Sequence, residues 1–437
     1  CFGFGIHLAG LYWIGSAFLV ESERFAWVMP FAVASMPAGL ALFYAAALAA
    51  VSQIRGSDLV RAIAMALALA GAEWLRGTIF TGFPWNALGY VLTYPLILMQ
   101  SAGLIGIYGL SLFAVLIATL PLVAIAGTSD KTHRLRTVCT LAGLVGFPIV
   151  AAPIYGMTVL AQPLPPDLDG LRIRLVQPNI PQTDKFQPDK HRDIFLKTLA
   201  LSTQPSAAPG TTSGSQQITH ILWPEASMPF FALRSKEVVA GITSALEPQQ
   251  HLIAGTLRAE VAKADADPSD YRVFNTTIVL DGNGSLKSIY DKVHLVPFGE
   301  YLPFQNTLEA IGLMHLTRQR GGFSPGPSPR RLMQIPGLPP ASMLICYEAI
   351  FPHLAHPSDG RPGLLINLTN DAWFGTTSGP YQHFHQSRVR AVEQGVPLIR
   401  VANNGITAIT DSHGRIRHRI GLNRRGVIDS SVPAVVR

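Results

Sequence analysis

The stretch Ser342-Met-Leu-Ile-Cys346-Tyr-Glu348 decides how this chain is read, because an apolar run closes on a thiol and then on a carboxylate. It predicts Cys346 at the junction of a buried strand and a turn, where adjacent backbone N–H groups can stabilise an oxyanion. On its own, a lone cysteine after an apolar strand reads more simply as a small core residue. A second apolar run, Ile221-Leu-Trp-Pro-Glu225, also ends in a carboxylate. Partial burial would raise its pKa toward that of a general base, although a helix cap or an ion-pair partner is the plainer reading of one glutamate. Lys292 lies in Tyr290-Asp-Lys-Val-His-Leu-Val-Pro-Phe-Gly-Glu-Tyr-Leu-Pro303, one cation among apolar residues and two acids. An ammonium beside Glu225 and Cys346 would favour the thiolate and then the negative oxygen of a tetrahedral intermediate.

Outward from these segments the chain divides into two chemistries. With 48% hydrophobic and 14% charged residues among 437, an ordinary soluble globule is a poor description. The first third carries the excess: residues 1–20, 25–54, 77–129 and 137–166 contain no Asp, Glu, Lys or Arg. A bilayer core takes roughly 20 apolar residues as a helix, which predicts about five spans, near 3–20, 26–51, 59–76, 98–126 and 137–160. The third is the most polar, ending in Glu73, Trp74 and Arg76 before Thr81-Gly-Phe-Pro-Trp85. Arg55 and Arg61 follow the second span, and Lys131, Arg134 and Arg136 follow the fourth, so these loops are expected on the cytoplasmic side. The segment after Leu160 then emerges outside. The chain begins at Cys1 within an apolar run lacking signal-peptide features, and is read as a fragment.

From about residue 165 the pattern changes to short β-rich runs separated by Gly/Pro and polar segments, as in Leu171-Arg-Ile-Arg-Leu-Val-Gln177. This predicts a separate α/β domain. Strands are expected at 251–257, 272–281, 286–291, 341–346, 363–368, 397–402 and 406–411, and helices at 186–203, 235–247 and 380–394. Three parts are expected: a transmembrane helical domain over 1–164, an α/β domain over 165–415, which the family resemblance given below implies is catalytic, and a C-terminal segment, 416–437, which the same resemblance implies leads toward a further span. Ser202 to Gln217 reads as a surface loop. Leu302 to Leu316, with Phe304, Leu308, Ile311, Leu313 and Met314, reads either as a lid over a lipid entrance or as core cover.

The net charge of +7 raises nucleic acid as a partner, but no zinc-ligand spacing, basic helix or aromatic RNA-binding signature accompanies it. Anionic lipid headgroups account for it better. Cys1, Cys139 and Cys346 are too few and scattered for a disulfide framework, and His294, His383 and His385 form no tight ligand pattern. Neither a metal nor a cofactor is expected.

Taken together, Trp-Pro-Glu225, Asp-Lys292 with Val-Pro-Phe-Gly-Glu300-Tyr, and Cys346-Tyr347-Glu348 resemble the three signature segments of the nitrilase, or carbon-nitrogen hydrolase, superfamily. The resemblance implies a Glu225, Lys292, Cys346 catalytic set on an α-β-β-α sandwich. Val176-Gln-Pro-Asn-Ile-Pro181, Thr369-Asn370-Asp-Ala-Trp373-Phe-Gly375, Gln382-His-Phe384 and Asn403-Asn-Gly-Ile-Thr407 are similar to the apolipoprotein N-acyltransferases within it, as are Glu73-Trp-Leu-Arg-Gly77 and Thr81-Gly-Phe-Pro-Trp85. Phe186 departs from that family, whose members often have Trp there. The resemblance implies supporting or substrate-binding roles for Glu300, Tyr347, Glu348, Phe186, Trp373 and Asn370, with Glu348 open to a purely structural role. It further implies a multi-pass protein of the bacterial inner membrane with a periplasmic catalytic domain. That domain would transfer an acyl chain from a phospholipid such as phosphatidylethanolamine to a diacylated apolipoprotein. A membrane-tethered amidase or nitrilase-like hydrolase would use the same three residues, whereas a noncatalytic scaffold would have no need of them.

Overall fold

The computed structural model describes residues 1–126, 139–140, 142–164, 166–205, 217–261, 271–304 and 322–435, and it divides into two compact units. One comprises Cys1–Tyr12, Val28–Leu164 and Ile350–Pro352; the other comprises Trp13–Trp27, Pro165–Ala349 and His353–Arg437. The expected basic loop with Lys131, Arg134 and Arg136 lies outside the described residues, as do 206–216 of the expected surface loop and 305–316 of the expected lid.

The first unit is helical. Among the described residues, three segments, Phe2–Leu19, Met29–Ser52 and Ala102–Leu120, are long and apolar enough to cross a membrane, with mean hydropathies of 1.4, 1.8 and 2.2. Large apolar side chains such as Phe31, Leu42, Leu104 and Phe147 face outward on these helices and on Phe147–Ala161, as lipid-facing surfaces do. The expected third span is indeed a helix, Asp58–Arg76, opened by Ser57, whose hydroxyl accepts from the Val60 N–H at 3.4 Å. It is not among the three, because it carries four charged residues: Asp58, Arg61, Glu73 and Arg76. Its two C-terminal charges are buried and paired, Arg76 Nη2 to Glu73 Oε2 at 3.0 Å. Arg76 also donates to the Trp85 carbonyl at 2.9 Å, and the Tyr44 hydroxyl donates to Glu73. Charges inside an apolar bundle persist when matched in this way. Ala62, Ala66, Leu69 and Ala72 recur at helical spacing and form the buried face of this helix, against Tyr44, Val115, Leu116 and Leu120. Small side chains there let helices approach closely. The expected fifth span is represented by Phe147–Ala161, which has 15 residues.

Among its described residues the second unit forms two β-sheets. Strands β1 (Arg172–Gln177), β2 (His220–Leu222), β3 (His251–Val261), β4 (Tyr271–Asp281) and β5 (Leu286–Asp291) run in sequence order across the first. In the second lie β6 (Ala341–Ile345), β7 (Leu364–Thr369), β8 (Leu398–Ala402), β9 (Thr407–Thr410) and β10 (Ile416–Ile420), while β11 (Gly426–Ser431) returns to pair antiparallel with β1. Strand periodicity of two sends alternate side chains to opposite faces. Thus Ile173, Leu175, Leu222, Ile253 and Val279 of the first sheet pack with Met343, Ile345, Ile366, Leu368, Ile399 and Val401 of the second. On the first sheet's other face, Val176, Ile221, Leu252 and Ile278 pack with Phe195 of helix His191–Thr203 and Ile242 of helix Lys236–Ala245. Helix Gly379–Gln394 packs Ala391 against Leu365 and Leu398 on the second sheet. This is the α-β-β-α sandwich. One expectation is corrected: 416–437 does not trail away from the catalytic domain. Its described residues, 416–435, supply β10 at an edge of the second sheet and β11 at an edge of the first, with Ile428 and Val432 in the central apolar layer.

Candidate active site

Each of the three chemically suggestive residues follows the C-terminal end of a strand: Glu225 after β2, Lys292 after β5 and Cys346 after β6. The Glu225 turn is tight, with Ala226 at φ +43°, and β3 approaches it closely. A Cβ at Gly255 would lie 2.5 Å from the Pro224 carbonyl oxygen and 2.7 Å from Glu225 Cα, so glycine permits that approach. Cys346 has φ +49°, left-handed backbone that is costly for a non-glycine residue and is found where surrounding contacts enforce it.

Those contacts are visible. The Cys346 carbonyl accepts from His383 Nε2 at 3.1 Å and from Asn367 Nδ2 at 3.5 Å. His383 Nδ1 lies 3.0 Å from Asp371 Oδ1, and Arg400 Nη2 donates to Asp371 Oδ2 at 2.8 Å. Burial alone would raise the Asp371 pKa, but Arg400 and His383 hold it down to about 2. The buried Asp371, His383, Arg400 group thus braces the turn that carries the thiol.

Glu225, Lys292 and Glu300 form a buried cluster. Lys292 Nζ lies 2.9 Å from both Glu300 oxygens and 3.7 Å from Glu225 Oε1. Asn275 on β4 bridges the carboxylates, its Nδ2 donating to Glu225 Oε1 at 2.8 Å and to Glu300 Oε1 at 3.1 Å. Glu300 is fixed in turn by the Val296 N–H at 2.8 Å. Burial raises the Glu225 pKa, opposed by Lys292, and places the carboxyl closer to general-base range. Burial by itself would lower the Lys292 pKa, but Glu300 and Glu225 outweigh it and keep the group an ammonium. The Cys346 thiol is pushed up, by burial first and the Glu225 charge second, against Lys292 and a hydrogen bond to Thr369. Burial and the neighbouring carboxylate thus favour the protonated thiol over the thiolate.

The supporting residues divide. Glu300 joins the cluster directly. Glu348 accepts from the Tyr290 hydroxyl at 2.9 Å and from the Val293, His294 and Ile345 N–H groups at 2.9, 3.1 and 2.8 Å. Its side chain clamps the residues after Lys292 to the end of β6, which is a positioning function. Asn370 donates to Gln182 Oε1 at 2.6 Å and accepts from Asn403 at 3.0 Å, so its amide is engaged in holding loops. Phe186 and Trp373 are neighbours, with ring centroids 6.0 Å apart, and Tyr347 is buried with its ring 5.8 Å from His294. Asn275, Lys185 and Arg400 were not anticipated. The signal available for Asn275 is a polar side chain within the otherwise strand-like Tyr271–Asp281.

The carbon-nitrogen hydrolase family model matches residues 172–437, and that of the apolipoprotein N-acyltransferase N-terminal domain matches residues 1–120. Apolipoprotein N-acyltransferase of Rhodopseudomonas palustris is 43% identical over 435 residues, 100% of this chain and 80% of its own. That of Brucella melitensis is 43% identical over 439 residues, 99% of this chain and 79% of its own. Among solved structures, an amidase from Nesterenkonia sp. is 18% identical, covers 61% of this chain and 92% of its own, and has a TM-score of 0.39. A carbon-nitrogen hydrolase from Helicobacter pylori is 13% identical, with 60% and 89% coverage and a TM-score of 0.42. With both family models matched in order and relatives of this identity along the whole chain, the protein belongs to the apolipoprotein N-acyltransferases, membrane acyltransferases with a carbon-nitrogen hydrolase domain.

Proposed function

We propose that this chain acylates the α-amino group of the S-diacylglyceryl cysteine at the N-terminus of bacterial lipoproteins, using a phospholipid donor and a thioester on Cys346. The supporting observation is the buried group of one carboxyl, one ammonium and one thiol, each at the end of a different strand. Glu225 takes the Cys346 proton as the sulfur attacks an acyl ester of a phospholipid, phosphatidylethanolamine foremost. Lys292 and a backbone N–H hold the oxyanion. Collapse breaks the ester C–O bond, Glu225 returns the proton to the leaving oxygen, and lysophospholipid departs. In the second half-reaction the lipoprotein amine gives a proton to Glu225 and attacks the thioester. The C–S bond breaks, the amide remains on the lipoprotein, and Glu225 reprotonates the sulfur.

Loop charges around Arg55 and Arg61 support a cytoplasmic side for that connection and a periplasmic catalytic domain, in a multi-pass inner-membrane protein. Incubation with phospholipid and a diacylated lipopeptide, followed by mass analysis, tests the reading. It expects a lipopeptide heavier by one acyl chain and a stoichiometric lysophospholipid. Free fatty acid without lipopeptide acylation would assign the chain to the hydrolases instead.

A further inference from the structure

A second buried ammonium stands behind Glu225 and is used by none of the steps above. Lys185 ends the short helical turn Gln182–Lys185 that follows β1, and only 5% of its surface is exposed. Its Nζ donates to the Glu225 main-chain carbonyl at 3.2 Å. The segment leading to it is held firmly. Asn403 accepts from the Ile180 N–H at 3.1 Å and donates to the Ile180 carbonyl at 2.8 Å, while Asn370 grips Gln182 at 2.6 Å. Asn370 and Asn403 follow β7 and β8, so this turn is fastened to the strand ends of the sheet that carries Cys346.

Burying an ammonium against one neutral carbonyl is unfavourable unless negative charge lies near. The charge acting on Lys185 is first that of Glu225, joined by that of the Cys346 sulfur when it ionises. On its own segment, Asp184 is already paired with Lys190 at 2.7 Å, and the His191 ring engages the Lys185 carbonyl at 3.1 Å. Cys346 faces Glu225, Lys292, Asp371 and the Thr369 hydroxyl, and Asp371 is matched by Arg400. Counted without Lys185, the cluster holds two carboxylates, Glu225 and Glu300, against the single ammonium of Lys292, a net negative charge that opposes a thiolate. Lys185 brings it to neutrality.

We propose that Lys185 is a positioning residue for acyl transfer, whose ammonium offsets the second carboxylate of the buried cluster and so lets Cys346 become an anion. Burial draws the Lys185 pKa down to about 8, opposed by Glu225 and Cys346, so the cation still predominates at neutral pH. The proposal rests on Cys346 as the nucleophile, and the test reads the thiol itself rather than turnover.

The test follows the rate of Cys346 alkylation by iodoacetamide against pH, in the full chain with Cys1→Ser and Cys139→Ser to remove the two exposed thiols. Lys185→Met is expected to move the profile to higher pH and to slow alkylation about tenfold or more at pH 7.5, a tenfold loss of thiolate corresponding to one pKa unit. Lys185→Arg, which keeps the charge, is expected to retain most of the native rate. An unchanged profile in Lys185→Met, or an Arg variant as slow as the Met variant, overturns the proposal. A lysine serving only to brace the Glu225 turn would lower thermal stability without moving the profile. If acylation failed to map to Cys346, the thiol's pH profile would still be measured, so the two readings fail separately.

Discussion

Replacing Gly255 by alanine places one methyl group where the structure leaves no room for it. The added Cβ would lie 2.5 Å from the Pro224 carbonyl oxygen, 2.6 Å from the Ala226 nitrogen and 2.7 Å from Glu225 Cα, all backbone atoms without rotamers to yield. Relief to ordinary contact near 3.5 Å requires the Glu225 turn to retreat from β3 by about 1 Å. Overpacking of this kind costs about 1–3 kcal/mol, which a domain of this size survives. Misplacing a catalytic group by about 1 Å costs roughly hundredfold in rate. Gly255 → Ala is therefore expected to fold, with a modest fall in melting temperature, while acyl transfer to a diacylated lipopeptide drops about a hundredfold. The internal control is Gly39→Ala on helix Met29–Ser52, where a Cβ meets nothing within 4 Å and the rate is expected to be unchanged. A Gly255→Ala enzyme within about threefold of the native rate would refute the argument that the position of Glu225 is set by the close approach of β3.

Glu300→Gln removes the acid that holds Lys292 and also contributes to the raised pKa of Glu225. Its kcat is expected to fall, and the acid limb of its kcat/KM profile to move to lower pH, since Glu225 loses a neighbouring negative charge and gains a less committed ammonium; an acid limb moving upward would contradict this. Asp371, held down to about 2, contributes stability that is fully present above the unfolded carboxylate value near pH 4 and is lost as pH falls through about 2. The difference corresponds to about 2 kcal/mol, so Asp371→Asn should lower stability at pH 6 and flatten the decline between pH 4 and 2, as read by thermal unfolding across pH. Cys346→Ser should retain little transfer activity, because an alcohol is far less acidic than a thiol.

Much of this site was legible because its groups sit at strand ends, where an apolar run terminates in a polar residue. Glu225 and Cys346 have that signature, whereas Lys292 follows the more polar run Leu286–Asp291; the strands before Lys292 and Cys346 were expected within a residue, 286–291 as found and 341–346 against Ala341–Ile345. The Met29–Ser52 and Ala102–Ala126 helices were legible from their uninterrupted apolar character. The Asp58–Arg76 helix was harder to classify, since whether Glu73 and Arg76 end a span or pair inside a bundle depends on Tyr44 and Trp85, distant in sequence. The strands at 416–420 and 426–431 were overlooked because edge strands carry weak patterns. Ile416–Ile420 reads Ile-Arg-His-Arg-Ile, and its partner across the ladder, β9, is what identifies it. Lys185 and Asn275 escaped notice for a related reason. A polar residue in a turn or a strand becomes informative only when three-dimensional neighbours show which charge it faces.

The central claim is that acyl transfer passes through the sulfur of Cys346. Incubating the full chain with phospholipid but no lipoprotein acceptor, and weighing the intact protein, tests it most directly. The account predicts an added acyl mass that maps to Cys346, is cleaved by hydroxylamine, disappears on adding diacylated lipopeptide, and is missing from Cys346→Ala. An adduct of equal abundance in Cys346→Ala, or one mapped to another residue, would contradict it.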